Sequence, residues 1–377
     1  MEKGRNAVFF FLFHIFVLMP RVLILVAHRP NRSPSQRYRF EQYLPYLQQH
    51  GFEFTWAPLL NEKDDTLFYD KGRFLKKMII LIKGHLQRKN DVTRYKNFDI
   101  IFIQREASFF GTSQFEMLAH KSGKKVIFDF DDAIWMADTS PGNKKWEWVK
   151  DPKKFESNVS FADVVIAGNN YLAEKAKQFT KASIKVIPTT VDTKVHIPKP
   201  ELRGKENITI GWSGSFSTIK HFEEVLPVLI ELNKKYKGKL QFKVLGDANY
   251  TNQQLGIKGM AWSVETEVNE LNSFDIGIMP LPNDEWAKGK CGLKALTYMS
   301  CEVPVVMSGV GVNIEIAAGG CAIIVNTKEE WMNALEELIN DKNKREALGK
   351  RGRQRVEEKY SVEANKEKYF EIFKTLK

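Results

Sequence analysis

Short runs of aliphatic and β-branched residues alternate with longer amphipathic stretches along nearly the whole chain, and few folds accommodate that rhythm. It is the signature of a parallel sheet covered by helices. Runs at Val22 to Ala27, Ile100 to Gln104, Lys125 to Asp129, Val164 to Ala167 and Lys185 to Ile187 predict one set of strands. The polar, proline-bearing segment Val195 to Lys205 (VHIPKPELRGK) then breaks the pattern and reads as a linker. The alternation resumes with Ile208 to Trp212, Leu240 to Leu245, Ile276 to Met279, Val303 to Met307 and Ala322 to Val325. The fold class expected is therefore α/β, with two Rossmann-like doubly wound domains. Their ligand cleft should lie between them, at the carboxyl ends of the strands. A length of 377 residues agrees, since it suits two domains of roughly 150 to 200 residues each. The expected boundaries are 19–196 and 197–360, with a terminal helix over 361–377 whose face of Tyr369, Phe370 and Phe373 must be buried, packing back on the first domain being one solution.

The net charge of +11 implies negative partners, whether nucleotide, anionic lipid or nucleic acid. No nucleic-acid-binding motif accompanies the charge, so nucleic acid is not expected. Cys291, Cys301 and Cys321 form no C-x-x-C pair, which suggests neither zinc nor disulfides and fits a reducing, cytoplasmic setting. Residues 1–18 stand apart, because Ala7 to Leu18 (AVFFFLFHIFVL) is nearly all apolar. Twelve residues are few for a membrane span, and no small-residue cleavage site follows. Met19 as the natural start, a membrane anchor and a signal peptide are the three readings, the first being preferred.

Two glycine-rich segments of the second half point to an anionic ligand. Gly211 to Ser217 lies between a strand and a helix that begins near Thr218, and Lys220 adds a charge at the helix start. Gly289 to Met299 (GKCGLKALTYM) sets Lys290, Gly292 and Lys294 ahead of a helix expected over Leu293 to Cys301. Helix N-termini expose unpaired N–H groups and a positive dipole end, which favours phosphate. A bland turn explains the first segment about as well when it is taken alone; the pair on one sheet edge is the stronger signal. In the first half, Asp129, Asp131 and Asp132 close a strand and should face the cleft, able to ligate a metal, position a hydroxyl, act as a base or form structural salt bridges. Ser35, Arg37 and Arg39 in the first strand-to-helix loop, with Arg105 at another strand end, suit a phosphate or acidic acceptor unless they are ordinary surface residues.

Lys71 to Lys96 holds nine Lys or Arg and one acid, interleaved with Phe74, Met78, Ile79, Leu81, Ile82 and Leu86. A helix lying on an anionic membrane and a helix packed on the sheet with a solvated basic face share this pattern.

From Arg21 onward these motifs, in order, resemble the retaining glycosyltransferases of family 4 (glycosyl transferases group 1), which have the two-domain GT-B fold. The resemblance rests on Gly211 to Ser215 (GWSGS) with Lys220, Phe274 to Pro280 (FDIGIMP), Gly289 to Met299, and Val303 to Val306 followed by Gly309 to Asn313 (GVGVN). In the first half it rests on Ser33 to Arg39 (SPSQRYR), Gln104 to Glu106, Asp129 to Trp135 (DFDDAIW) and Ile187 to Asp192 (IPTTVD). It implies transfer of a sugar from a nucleotide-sugar co-substrate to a hydroxyl of a glycan or lipid-linked acceptor, with no metal and no other cofactor. An anionic membrane surface is a possible further partner. It places the donor at Gly214, Ser215, Lys220, Trp262, Ser263, Lys290, Cys291, Gly292, Leu293, Lys294 and Thr297, and chemistry at Asp131, Asp132, Lys220 and Lys290. The chain departs from the family at the pair of glutamates on the donor loop and helix, where Gly289 and Thr297 stand. Asp284 and Glu285 are candidates for the missing sugar-orienting carboxylate. The departure also leaves open a catalytically degenerate subunit that binds nucleotide-sugar or a partner transferase, and a nucleotide-sugar epimerase is a third reading.

Overall fold

Among the described residues, eleven of the thirteen strands belong to two parallel sheets, one in each half of the chain, and helices cover both faces. The computed structural model describes residues 19–69, 72–136, 151, 153–204 and 206–376. The apolar residues 7–18, Lys71, the linker residue Lys205 and Lys377 lie outside the described residues.

The first sheet comprises β1 (Arg21–Val26), β2 (Glu53–Pro58), β3 (Ile100–Gln104), β4 (Lys125–Phe130), β5 (Val164–Ala167) and β6 (Ser183–Val186), in the order β2-β1-β3-β4-β5-β6. Strands β1, β3, β4 and β5 are buried almost throughout, as strands covered on both faces must be. Strand β2 (EFTWAP) is absent from the sequence-based set. It is a half-exposed edge strand, so its apolar residues never form a continuous run. Strand β6 begins two residues earlier and ends one earlier than expected, and Ile187, just beyond it, is buried while its N–H still bonds the Ala167 carbonyl at 3.1 Å.

The second sheet comprises β7 (Ile208–Ser213), β8 (Leu240–Leu245), β11 (Ile276–Met279), β12 (Val305–Ser308) and β13 (Ile323–Val325), in the order β13-β12-β11-β7-β8. A short antiparallel pair, β9 (Thr251–Asn252) and β10 (Ile257–Lys258), projects after β8. Helix Leu293–Ser300 follows the second glycine-rich loop, as expected.

The chain crosses between domains twice at one place. Val191 N–H donates to the Tyr360 carbonyl at 2.8 Å, and Val362 N–H donates back to Val191 at 3.2 Å. Beyond this junction, helix Val362–Thr375 packs on the first domain. Tyr369 stacks on Tyr43 at 4.3 Å, while Phe373 joins Phe102 and Phe54 in the same apolar cluster. The terminal helix therefore belongs to the first domain's core although it follows the second.

Candidate functional site

The two glycine-rich segments of the second domain are fastened to each other. Tyr298, fully buried on helix Leu293–Ser300, accepts the Ser213 N–H at 2.7 Å and shares a 2.9 Å hydrogen bond with the Ser213 hydroxyl. The loop after β7 is thus held against the start of the second helix. Gly214 lies under the Trp212 ring, where a side chain would collide with the indole, and Ser215 pairs with Ser217 at 2.8 Å. Helix Leu293–Ser300 is entered through Gly292 at φ +70°, and no side chain caps it. Its first N–H groups and positive dipole end therefore remain for a ligand.

Three lysines gather near that terminus around two indoles. Lys290 Nζ lies 3.4 Å from the Trp286 ring centroid, and Lys220 Nζ lies 5.4 Å from the same ring. Lys294 Nζ sits 5.4 Å from the Trp212 ring. Burial pushes the Lys294 amine down to about 8, the Lys290 charge pushes the same way, and Asp132 opposes them. A phosphate would relieve that repulsion. Nucleotide diphosphate affinity is therefore expected to hold below about pH 8 and to fall above it, by up to about tenfold per pH unit as one proton is lost. Calorimetric titration from pH 7 to pH 9 checks this, and Lys294→Met should remove the dependence.

The first domain faces these lysines with carboxylates that do not converge. Asp129 is fully buried and takes two hydrogen bonds from Arg39, at 2.6 and 3.3 Å. Asp131 accepts from Arg105 Nε at 2.7 Å. Asp132 meets Lys290 at 2.7 Å across the domain boundary and Arg105 at 3.7 Å. Each carboxylate thus has its own cation. Burial works against the charge on Arg105, yet Asp131 and Asp132 together hold its guanidinium above the ordinary value. Among the described residues no group of three or more His, Cys, Asp or Glu could hold a metal ion.

The domains meet closely beside this cluster. Asn169 donates to the Lys290 carbonyl at 3.1 Å and to Gly289 at 3.3 Å, and the Cys291 thiol donates to the Asp131 carbonyl at 3.3 Å. Burial pushes the Cys291 thiol up to about 12, which suits packing rather than nucleophilic work. A Cβ built at Gly289 would lie 2.8 Å from Ala133 Cβ and 3.0 Å from its N. A carboxylate side chain at position 289 has no room in this arrangement.

Several expected contacts lie elsewhere. Arg39 is buried, with its guanidinium engaged by Asp129 and the Ile187 carbonyl, so it is a strut of the first domain and does not line the cleft. Arg37 closes the domains instead, reaching Glu267 at 2.9 Å and lying 4.9 Å from the Trp262 ring. Ser35 pairs with Ser33 at 3.0 Å, and Ser263 with Thr266 at 3.0 Å. Thr297 is 4% exposed and its hydroxyl donates to the Lys294 carbonyl at 2.9 Å, so it faces the helix and not the cleft. Asp284 caps the turn Glu285–Lys288 by accepting from Ala287 at 2.7 Å, and Glu285 accepts from Tyr171 of the first domain at 2.8 Å. Both candidate carboxylates are thus engaged. The sequence reasoning missed Trp286 and Tyr298, which organise the lysines and the loop. A tryptophan between Asp284 and Lys290 was the available signal for the first; nothing short of the fold marks the second.

Residues 207–341 match the family model of glycosyl transferases group 1. No curated protein matches the chain in sequence. Among solved structures, the chain is similar to sucrose-phosphate synthase from Thermosynechococcus elongatus, with a TM-score of 0.68 and 15% identity over 95% of this chain and 99% of that one. It is similar to HepE of Anabaena in complex with UDP and glucose, with a TM-score of 0.64 and 14% identity over 94% and 99%. A glycosyltransferase from Rickettsia africae gives 0.63 and 15% over 96% and 99%. The fold is GT-B.

Proposed function

We propose that this chain, a GT-B protein whose second domain matches the group 1 glycosyl transferases, moves a sugar from a nucleoside-diphosphate donor to an acceptor hydroxyl with retention at the anomeric carbon. The observation that carries the reading is the set of Lys220, Lys290 and Lys294 around an uncapped helix N-terminus, opposed across the cleft by Asp131 and Asp132.

The chemical difficulty is the departure of a nucleoside diphosphate from a carbon that becomes oxocarbenium-like. Negative charge grows on the diphosphate as that bond breaks, so preorganised cations and N–H groups stabilise the transition state more than the ground state. Lys220 and Lys290 supply point charges and the helix start supplies oriented donors. Lys290 would exchange Asp132 for the diphosphate, which leaves Asp132 to balance positive charge on the sugar or to hold the acceptor hydroxyl. Arg105 holds Asp131 and Asp132 in place through contacts of 2.7 and 3.7 Å. Closure of the seam over a bound donor would exclude water, which otherwise hydrolyses the donor. The HepE complexes with UDP and with UDP-glucose make UDP-glucose the first donor to try. We place the reaction in cell-surface polysaccharide or glycoconjugate synthesis on the cytoplasmic face, with no metal requirement.

One observation favours a second reading. With no room for a carboxylate at Gly289 and Thr297 turned into the helix, the sugar-orienting pair of the family has no counterpart here. A subunit that binds nucleotide-sugar or a partner transferase without turnover would tolerate that loss. Assays of donor hydrolysis and sugar transfer with purified protein separate the two. Diphosphate release with transfer to an acceptor is expected; tight nucleotide binding with neither activity would establish the binding subunit.

A further inference from the structure

Helix Phe74–Arg94 has two apolar faces. Ile80, Leu81, Gly84 and Arg88 are buried against the first domain, whereas Leu75 is 77% exposed, Ile79 53%, Ile82 50% and Leu86 58%. At 100° per residue the latter four fall in a stripe about 60° wide, directly opposite the buried face. From Leu75 to Leu86 the stripe covers about 17 Å of a helix about 31 Å long. Water is a poor solvent for such a stripe, and contiguous exposed apolar surface of this kind marks a partner.

Charge selects the partner. Lys76 and Lys89 are exposed beside or in line with the stripe, and so is Lys83, whose amine also lies 3.7 Å from Asp64. The helix carries a single acid, Asp91, and it is buried and paired with Arg88 at 2.8 Å. An apolar strip rimmed by bases, on a helix with no exposed acid of its own, is complementary to an anionic lipid surface. The position of the helix agrees. Gly84 packs on Leu59, whose N–H donates to the Val26 carbonyl at the end of β1, and Arg88 donates to the same carbonyl at 2.8 Å and to the Ala107 carbonyl at 2.6 Å. The turns before Gly84 therefore extend past the carboxyl edge of the first sheet, the edge that opens on the cleft.

We propose that the stripe Leu75, Ile79, Ile82 and Leu86, with Lys76, Lys83 and Lys89, seats the first domain on an anionic bilayer and brings the cleft to an acceptor held in that bilayer. The acceptor clause rests on the proposed function; the docking surface does not. Among the described residues no helix is long and apolar enough to cross a membrane, so attachment through this helix lies in the interface.

Sedimentation of the full chain with vesicles tests the surface. The wild type is expected to bind vesicles of phosphatidylcholine mixed with phosphatidylglycerol far more strongly than vesicles of phosphatidylcholine alone. The variant Ile79→Ser/Ile82→Ser/Leu86→Ser alters only exposed positions, so its melting temperature should be unchanged while binding falls at least about tenfold. Lys76→Ala/Lys89→Ala should weaken binding to the mixed vesicles by about fivefold per lysine, with a shallower salt dependence. Absence of wild-type binding would overturn the proposal. So would equal binding by the variants, whether through residues 7–18 or another segment, or a wild-type dimer that dissociates in the stripe variant, which would make a second copy the occupant. Donor turnover without vesicles reads the enzymatic proposal separately.

Discussion

Lys290→Ala is expected to lower kcat by about 10²–10³ while leaving the fold intact. Its amine sits between the Trp286 ring of its own domain and Asp132 of the opposite one. If it stabilises charge that grows on the departing diphosphate, the loss appears in kcat more than in KM. The ion pair with Asp132 is partly solvated on both sides, at 21% and 19% exposure, so its removal should cost the folded state no more than about 1 kcal/mol. Initial rates over a range of donor concentrations, beside a melting curve, check both halves. A rise in KM with kcat intact would make Lys290 a binding residue only.

Arg39→Met is expected to have the largest effect on stability, about 3–5 kcal/mol, because it strands Asp129 as an uncompensated charge in the core. Arg39 joins four parts of the first domain's architecture. It leaves the loop after β1, pairs with β4 through Asp129, donates to the Ile187 carbonyl at the domain junction, and lies beneath Tyr369, whose hydroxyl is 3.5 Å from Asp129. Burial opposes its charge, yet Asp129 holds the guanidinium above its ordinary value, while burial pushes the Asp129 carboxyl up against the pull of Arg39. Urea unfolding followed by fluorescence should show a lower midpoint with the slope unchanged. The double variant Arg39→Met/Asp129→Leu removes both charges and is expected to regain much of the loss. Were Arg39→Met as stable as the wild type, the buried pair would not be the strut described here.

The same two residue types were readable from sequence to different depths. Buried strands such as Ile100–Gln104, Val164–Ala167 and Ile276–Met279 are nearly continuous apolar runs, so their ends could be set from composition alone. Edge strands β2 and β6 are half-solvated and carry no such run. That the two glycine- and lysine-bearing segments meet near one helix start was legible, because each follows a strand of one sheet. Which arginine lines a cleft and which braces a core is decided by tertiary contacts. Arg37 and Arg39 differ by two positions, yet one spans the domain boundary and the other is sealed beneath the terminal helix. The steric closure at Gly289 was equally hidden, since Ala133 lies in the other domain.

The central claim is that Lys220, Lys290 and Lys294, with the helix start at Leu293, hold a nucleoside diphosphate. Thermal denaturation across a panel of nucleoside diphosphates and their sugar conjugates tests it most directly, because a ligand that binds only the folded state stabilises it by about 2.7 kcal/mol at one hundred times its Kd. A clear rise in melting temperature is expected for at least one diphosphate with the wild type, and loss of most of that rise in Lys220→Ala. An undiminished rise in Lys220→Ala, or no rise with any member of the panel, would contradict it.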